Sequence, residues 1–123
     1  MSLASIIIPV YNGEEYIERA IECAPSQTYP YKEVIVVDDA STDSTPQKVK
    51  NYPVVYHRNK QNMERVYSRN KGVELSKGEF IFFLDYDDLW REDYIASSVE
   101  VLKELSYSLQ FSKKLYQQRG KGL

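Results

Sequence analysis

Ser5-Ile6-Ile7-Ile8-Pro9-Val10 runs straight into Tyr11-Asn12-Gly13, and Glu33-Val34-Ile35-Val36-Val37 into Asp38-Asp39-Ala40-Ser41-Thr42-Asp43. The hearts of both runs are continuously apolar and β-branched rather than alternating, the pattern of strands covered on both faces. Val54–His57 forms a weaker third run, and Glu79–Leu84, rich in Ile and Phe, a fourth. Helical patterns fill the gaps. Ile17, Ala20, Ile21 and Ala24 fall on one helical stripe, in a helix expected to open at Asn12 or Gly13, with Glu14 and Glu15 near its positive end. Thr45 as N-cap and Pro46 as first residue open a second helix. A third covers Glu64–Ser76 and stops at Lys77-Gly78. A fourth begins near Arg91, with the stripe Ile95, Val99, Leu102, Leu105 and Leu109. This alternation predicts an α/β fold: an open, mainly parallel, Rossmann-like sheet with helices on both faces.

The composition agrees with one soluble domain: 123 residues, 42% apolar and 28% charged. Aromatic residues at 13% exclude disorder. The apolar runs Ile6–Val10 and Phe80–Leu84 are far shorter than the ~20 residues of a membrane-spanning helix. No charged segment followed by an apolar stretch opens the chain, so no signal peptide is expected. The expected location is cytoplasmic, with a peripheral position at a membrane left open. Cys23 is the single cysteine, which excludes an intramolecular disulfide, and its place beside the first helical stripe reads as a small buried hydrophobe. Sixteen basic against eighteen acidic residues leave no footprint for nucleic acid. A lone His57 lacks the companions of a triad or a zinc site. No glycine-rich phosphate loop is present, which argues against P-loop NTPases and dinucleotide oxidoreductases. Beyond Glu104 every ionisable side chain is basic or phenolic, as in a solvated tail. The chain accordingly divides into a folded part, 1–105, and a helix end with basic tail, 106–123.

In a parallel sheet, ligands sit beyond the carboxyl ends of the strands. Two of the four exits are strongly acidic. Asp85-Tyr86-Asp87-Asp88 places three carboxylates within four residues, suited to Mg2+ or Mn2+, although Asp87 or Asp88 could equally cap the following helix. Asp38-Asp39 can accept from a base N–H or ribose hydroxyls, or simply close a turn. Tyr11 can stack on a base or pack as an ordinary tyrosine. Arg69 can hold a diphosphate in a bidentate grip or stand solvated on its helix.

Taken together, five segments resemble the inverting glycosyltransferases of family 2: Ile6–Asn12, Gln27-Thr28-Tyr29, Glu33–Asp43, Arg69-Asn70-Lys71-Gly72, and Gly78-Glu79 with Phe83–Asp88, the DXD region. The resemblance runs in register over about residues 4–95. It implies a truncated GT-A fold in which 1–105 binds a nucleotide-diphosphate sugar, commonly a UDP-sugar, with Mg2+ or Mn2+. Carried over, Tyr11 stacks on the base, Asp39 bonds to it, Asp87 meets the ribose side and helps hold the metal, Asp88 ligates the metal, and Asp85 assists either. The acceptor would be a hydroxyl of a glycan, lipid or polysaccharide. The chain departs from the pattern at Asn62-Met63-Glu64, where the family has Asn-x-Gly. The general base belongs to the family's acceptor half, so no catalytic residue is assigned here. Glu92, Asp93, Glu100 and Glu104 sit on the fourth helix and are not promoted to that role. The alternative function is a nucleotide- and metal-binding module without turnover. The strand Glu79–Leu84 is expected to leave an apolar edge through which the chain forms homo-oligomers.

Overall fold

The computed structural model describes residues 2–106. In chain order it contains β1 (Ala4–Val10), α1 (Ile17–Cys23), β2 (Lys32–Asp38), α2 (Thr45–Val49), β3 (Val55–Arg58), α3 (Glu64–Leu75) and β4 (Phe80–Phe83). A further helix, α4, covers 94–106. The four strands form one sheet in the order β3-β2-β1-β4, and every pairing is parallel.

The continuous Ile and Val runs are explained by cover on both faces. On one face Ile6, Ile8, Val10, Val36 and Phe82 join Ile17, Ala20 and Ile21 of α1, and Ile95 and Val99 of α4, in the main core. On the other face Ile7 meets α3. A Cβ on Gly72 would lie 2.3 Å from Ile7 Cγ2, so glycine is what lets α3 rest on β1. Cys23 is buried as expected, and its sulfur accepts from Trp90 N at 3.2 Å.

Three expectations change in detail. First, α1 starts at Ile17, because Tyr16 N and Ile17 N both donate to Gly13 O, at 3.0 and 2.8 Å, and close a turn before the helix. Glu14 thus leaves the helix, and its carboxylate accepts from Ser44 N at 3.0 Å. Second, α2 begins at Thr45, so Ser44 rather than Thr45 holds the N-cap position, without a side-chain cap bond, and Pro46 is the second helical residue rather than the first. The Thr45 hydroxyl is committed elsewhere, accepting from Gly13 N at 2.9 Å. Third, α4 begins at 94 rather than Arg91 because Gln27 ties down its approach. Gln27 Nε2 donates to Arg91 O at 2.7 Å, and its Oε1 accepts from Ile95 N at 3.0 Å. Ile95 and Val99 are buried, but Leu102 and Leu105 are 37% and 55% exposed, so only the start of α4 packs on the sheet. Leu109 and the basic tail lie outside the described residues, as does the 106–123 segment beyond its first residue.

Candidate nucleotide-sugar site

Strand register builds the site. Val10 pairs with Asp38 and Asp38 with Arg58, so β1, β2 and β3 end level. The edge strand β4 stops sooner, its Phe83 opposite Ile7. Even positions of β1 direct their backbone groups to β2, as Asp39 N donating to Val10 O shows, and odd ones to β4, as Leu84 N donating to Ile7 O shows. Pro9 is odd, so the N–H it lacks would face the side that β4 has already left. Proline therefore costs no ladder bond there. The early exit of β4 uncovers Pro9 and Val10, and these form the wall of a cavity of about 240 Å³.

Asp38 and Asp39, adjacent in sequence, serve different elements. Asp38 is fully buried. Its Oδ1 accepts from Ser41 N at 2.9 Å, and its Oδ2 accepts from Tyr56 Oη at 2.6 Å and from Arg58 Nη1 at 3.3 Å. Burial and this bond push the Tyr56 phenol up to about 12. Asp39 is 6% exposed and turns to the start of α3. Its Oδ1 accepts from Asn59 Nδ2 at 2.9 Å and Met63 N at 2.7 Å, and its Oδ2 from Glu64 N at 3.2 Å. A carboxylate on two N–H groups at a helix start is a favourable cap, delivered from a distant loop.

The loops after β1 and β2 are laced together. Asn12 N donates to Ser41 Oγ at 2.8 Å, and Asn12 Oδ1 accepts from Thr42 N at 2.8 Å. Glu14 N donates to Asp43 Oδ2 at 3.2 Å. Bonds from Ser44 hold the Glu14 carboxyl below its ordinary value. Asp43 serves the start of α2 as well, its Oδ1 accepting from Thr45 N at 2.9 Å. Three non-glycine residues here take left-handed backbone: Asn12 at φ 50°, Ala40 at 61° and Glu64 at 73°. Glu64 stands where the resemblance expects glycine, and the backbone keeps the glycine-like conformation.

The loop after β4 contrasts with this. Asp85, Asp87 and Asp88 are all exposed. Asp88 N closes a turn on Asp85 O at 2.9 Å, and Asp88 Oδ1 accepts from Leu89 N at 2.8 Å. Neither Asp87 nor Asp88 caps α4, which starts six residues later at 94. Arg69 pairs with Asp85 at 3.7 Å and lies over the Phe83 ring at 5.4 Å. Tyr86 folds back on the first loop: a Cβ on Gly13 would sit 2.7 Å from its ring.

Of the residues singled out from sequence, the cavity gathers Tyr11, Asp39, Asp85 and Asp87. Arg69 and Asp88 do not line it. Arg65 and Ser68 do, and sequence reasoning passed over both. The signal was available, since Arg65, Ser68 and Arg69 stand at i, i+3 and i+4 on one helix face. Among the described residues no group of three His, Cys, Asp or Glu converges to hold a metal. Also among them, no helix is long and apolar enough to cross a membrane.

The profile of glycosyl transferase family 2 matches residues 5–118. An Escherichia coli relative, the UDP-Glc:alpha-D-GlcNAc-diphosphoundecaprenol beta-1,3-glucosyltransferase WfaP, is 35% identical over 93% of this chain and 48% of its own length. The chain thus spans about half the length of that curated relative. Among solved structures, S. aureus TarS in complex with UDP-GlcNAc superposes with a TM-score of 0.77 at 31% identity, over 83% of this chain and 31% of that one. The mannosyltransferase PcManGT from Pyrobaculum calidifontis, in complex with GDP-Man and Mn2+, gives 0.75 at 30% identity, over 80% and 31%. Sheet, site position and these matches agree on a GT-A-type unit, and the chain belongs to glycosyl transferase family 2.

Proposed function

We propose that these residues bind the donor of a metal-assisted, inverting transfer of a sugar from a nucleotide diphosphate, UDP by class, to an acceptor hydroxyl. The observation that carries the reading is the gathering of Tyr11, Asp39, Asp85 and Asp87 from three strand ends into one cavity. Tyr11, 45% exposed, offers a ring face for a base. Asp39 keeps acceptor capacity on Oδ2, which takes a single bond from the chain. The cavity is smaller than the ~300–1,000 Å³ that encloses a whole small-molecule ligand, and suits the nucleoside end of a longer donor. TarS in complex with UDP and with UDP-GlcNAc supports this donor class.

Asp87 and Asp88 fit Mg2+ or Mn2+. They are adjacent hard carboxylates in no ion pair among the described residues, and Asp87 lines the cavity. Such ions typically take one or two protein carboxylates and complete their shell with water and phosphate oxygens, so a three-residue cluster is unnecessary. When bound, the ion supplies Lewis-acid stabilisation of the departing diphosphate. An acceptor that is a glycan, a polysaccharide or a lipid-linked sugar is in keeping with the diphosphoundecaprenol acceptor in the name of the E. coli relative, and with a peripheral position at the cytoplasmic face of a membrane. The outer edge of β4, unpaired among the described residues, leaves strand N–H and C=O groups open to the same edge of a second copy. Sedimentation velocity showing a monomer at high concentration overturns that part.

Calorimetry tests the donor reading. UDP should bind more tightly with Mn2+ than without, and Mn2+ more tightly with UDP by the same factor. Asp88→Ala should diminish this mutual effect. No heat and no thermal stabilisation with both ligands present overturns the reading. Detection of donor hydrolysis or sugar transfer separates a transferase from a binding module that shares the site.

A further inference from the structure

Arg65, itself exposed, is the only cation among the described residues that line the cavity. It stands in the first turn of α3, where the helix dipole disfavours positive charge. It forms no ion pair among the described residues, although Asp39, Asp85 and Asp87 line the same cavity. Arg69, one helical turn further on, differs: it pairs with Asp85 at 3.7 Å and lies over Phe83, off the cavity lining, with its buried Nε left without a partner among the described residues. An arginine kept at an unfavourable helix position, unpaired and facing a ligand cavity, breaks a local rule without a structural gain. The rule-breaking is accounted for if the missing anion is the ligand.

We infer that Arg65 is the phosphate-binding cation of this site. The inference rests on the donor reading above and moves the diphosphate contact, for which the sequence offered Arg69 as a candidate, one turn towards the helix start. The chemistry is specific. Exposed Asp85 and Asp87 repel a diphosphate, and a guanidinium offsets that repulsion while gripping two phosphate oxygens in its planar fork. Uridine has no phosphate and gains nothing from it. Arg65 therefore sets a preference for nucleoside diphosphate over nucleoside, independently of any metal.

The test uses the full chain with EDTA present, titrated with UDP and with uridine and followed by NMR shifts. Arg65→Gln should weaken UDP about tenfold, the scale of one charge-assisted contact, and leave uridine unchanged. Arg65→Lys should recover part of the loss, since charge remains without the fork. The dependence of UDP affinity on salt should also shrink in Arg65→Gln. Equal losses for UDP and uridine, or no loss for either, overturn the inference while leaving the donor reading in place. A wild-type chain that binds neither ligand in EDTA overturns the inference, and the donor reading falls only if UDP also fails to bind with Mn2+ present.

Discussion

Asp38 and Asp39 after β2, and Asp85, Asp87 and Asp88 after β4, belong to one end of the sheet. The first two are buried and accept three side-chain-directed bonds each, from Ser41, Tyr56 and Arg58 and from Asn59, Met63 and Glu64. The other three are exposed, and among the described residues their carboxylates meet only Arg69 at 3.7 Å and the neighbouring Leu89 N–H. A buried carboxylate must be satisfied by the fold itself, whereas an exposed one can wait for a ligand. One side of the cavity is thus set when the chain folds, and the other is completed by what binds. In a donor site that division suits a base held by rigid groups and a diphosphate held by ions and mobile charge.

The sharpest way to break the comparison is to remove a carboxylate from the rigid side. Asp38→Ala strands the Ser41 N–H, the Tyr56 hydroxyl and one edge of Arg58 beside an empty space. We expect a loss of about 3 kcal/mol in denaturant unfolding, given that unsatisfied buried partners cost ~1–3 kcal/mol each and solvent reaches some of these. A loss below about 1 kcal/mol would show that Asp38 is dispensable to the fold. Tyr56→Phe should cost less, and should also reduce the alkaline sensitivity of the protein. The phenol is raised to about 12 in the fold, against an ordinary value of about 10. Its contribution is therefore complete below about pH 10 and is lost as pH rises towards about 12.

Much of this architecture was open to reading. Strands and their order of appearance follow from uninterrupted Ile, Val and Phe runs, because only two-sided burial demands them. The acidic exits followed from the same runs, since a residue just past a parallel strand has one place to go. Bonds between distant loops were not legible. Nothing local in Asp39 says that it reaches Met63 and Glu64, or in Thr45 that it serves Gly13 rather than its own helix. Arg65 was missed for a related reason: helix periodicity marks which residues share a face, but only the early end of β4 makes that face a cavity wall. Glu64 was flagged by its departure from the family's glycine, and its φ of 73° shows what the glycine would relieve.

That backbone offers a smaller test on the rigid side. Glu64→Gly and Ala40→Gly should each stabilise by about 0.5–1 kcal/mol, the relief of left-handed strain less the extra freedom of an unfolded glycine. A destabilisation at either site would mean that the strained conformation is not kept in solution. Acid probes the same loops. Glu14 is held below its ordinary value by Ser44, so its clamp is present above the usual carboxylate range and lost as pH falls below about 4. Asp43 behaves alike: burial alone would raise it, and the bonds from Thr45 and Glu14 outweigh burial. The protection factor of Ser44 N, its exchange rate corrected for the intrinsic rate at each pH, should therefore fall in acid, and Glu14→Gln should remove much of that pH dependence. A protection factor unchanged down to pH 3 would show that these bonds do not hold the loop.

The smallest expected effect on the fold falls on the open side. Asp87 is exposed, in no ion pair among the described residues, and caps no helix. Asp87→Asn should leave stability within about 0.5 kcal/mol of wild type, as is usual at the surface. It removes one hard ligand and one repelling charge at the same place, and these act in opposite directions on a diphosphate. Without metal, UDP should bind the variant as well as wild type or slightly better, because repulsion is relieved. With Mn2+, UDP should bind less well, because the ion loses a carboxylate. The two titration curves should therefore cross over between EDTA and Mn2+, while the melting temperature of the unliganded protein stays put. Asp39→Asn supplies the contrast: it should lower the melting temperature first and weaken UDP under both conditions alike. If Asp87→Asn instead shifts both titrations in the same direction, its carboxylate acts on the donor directly and the division between a folded side and a ligand-completed side fails at that residue.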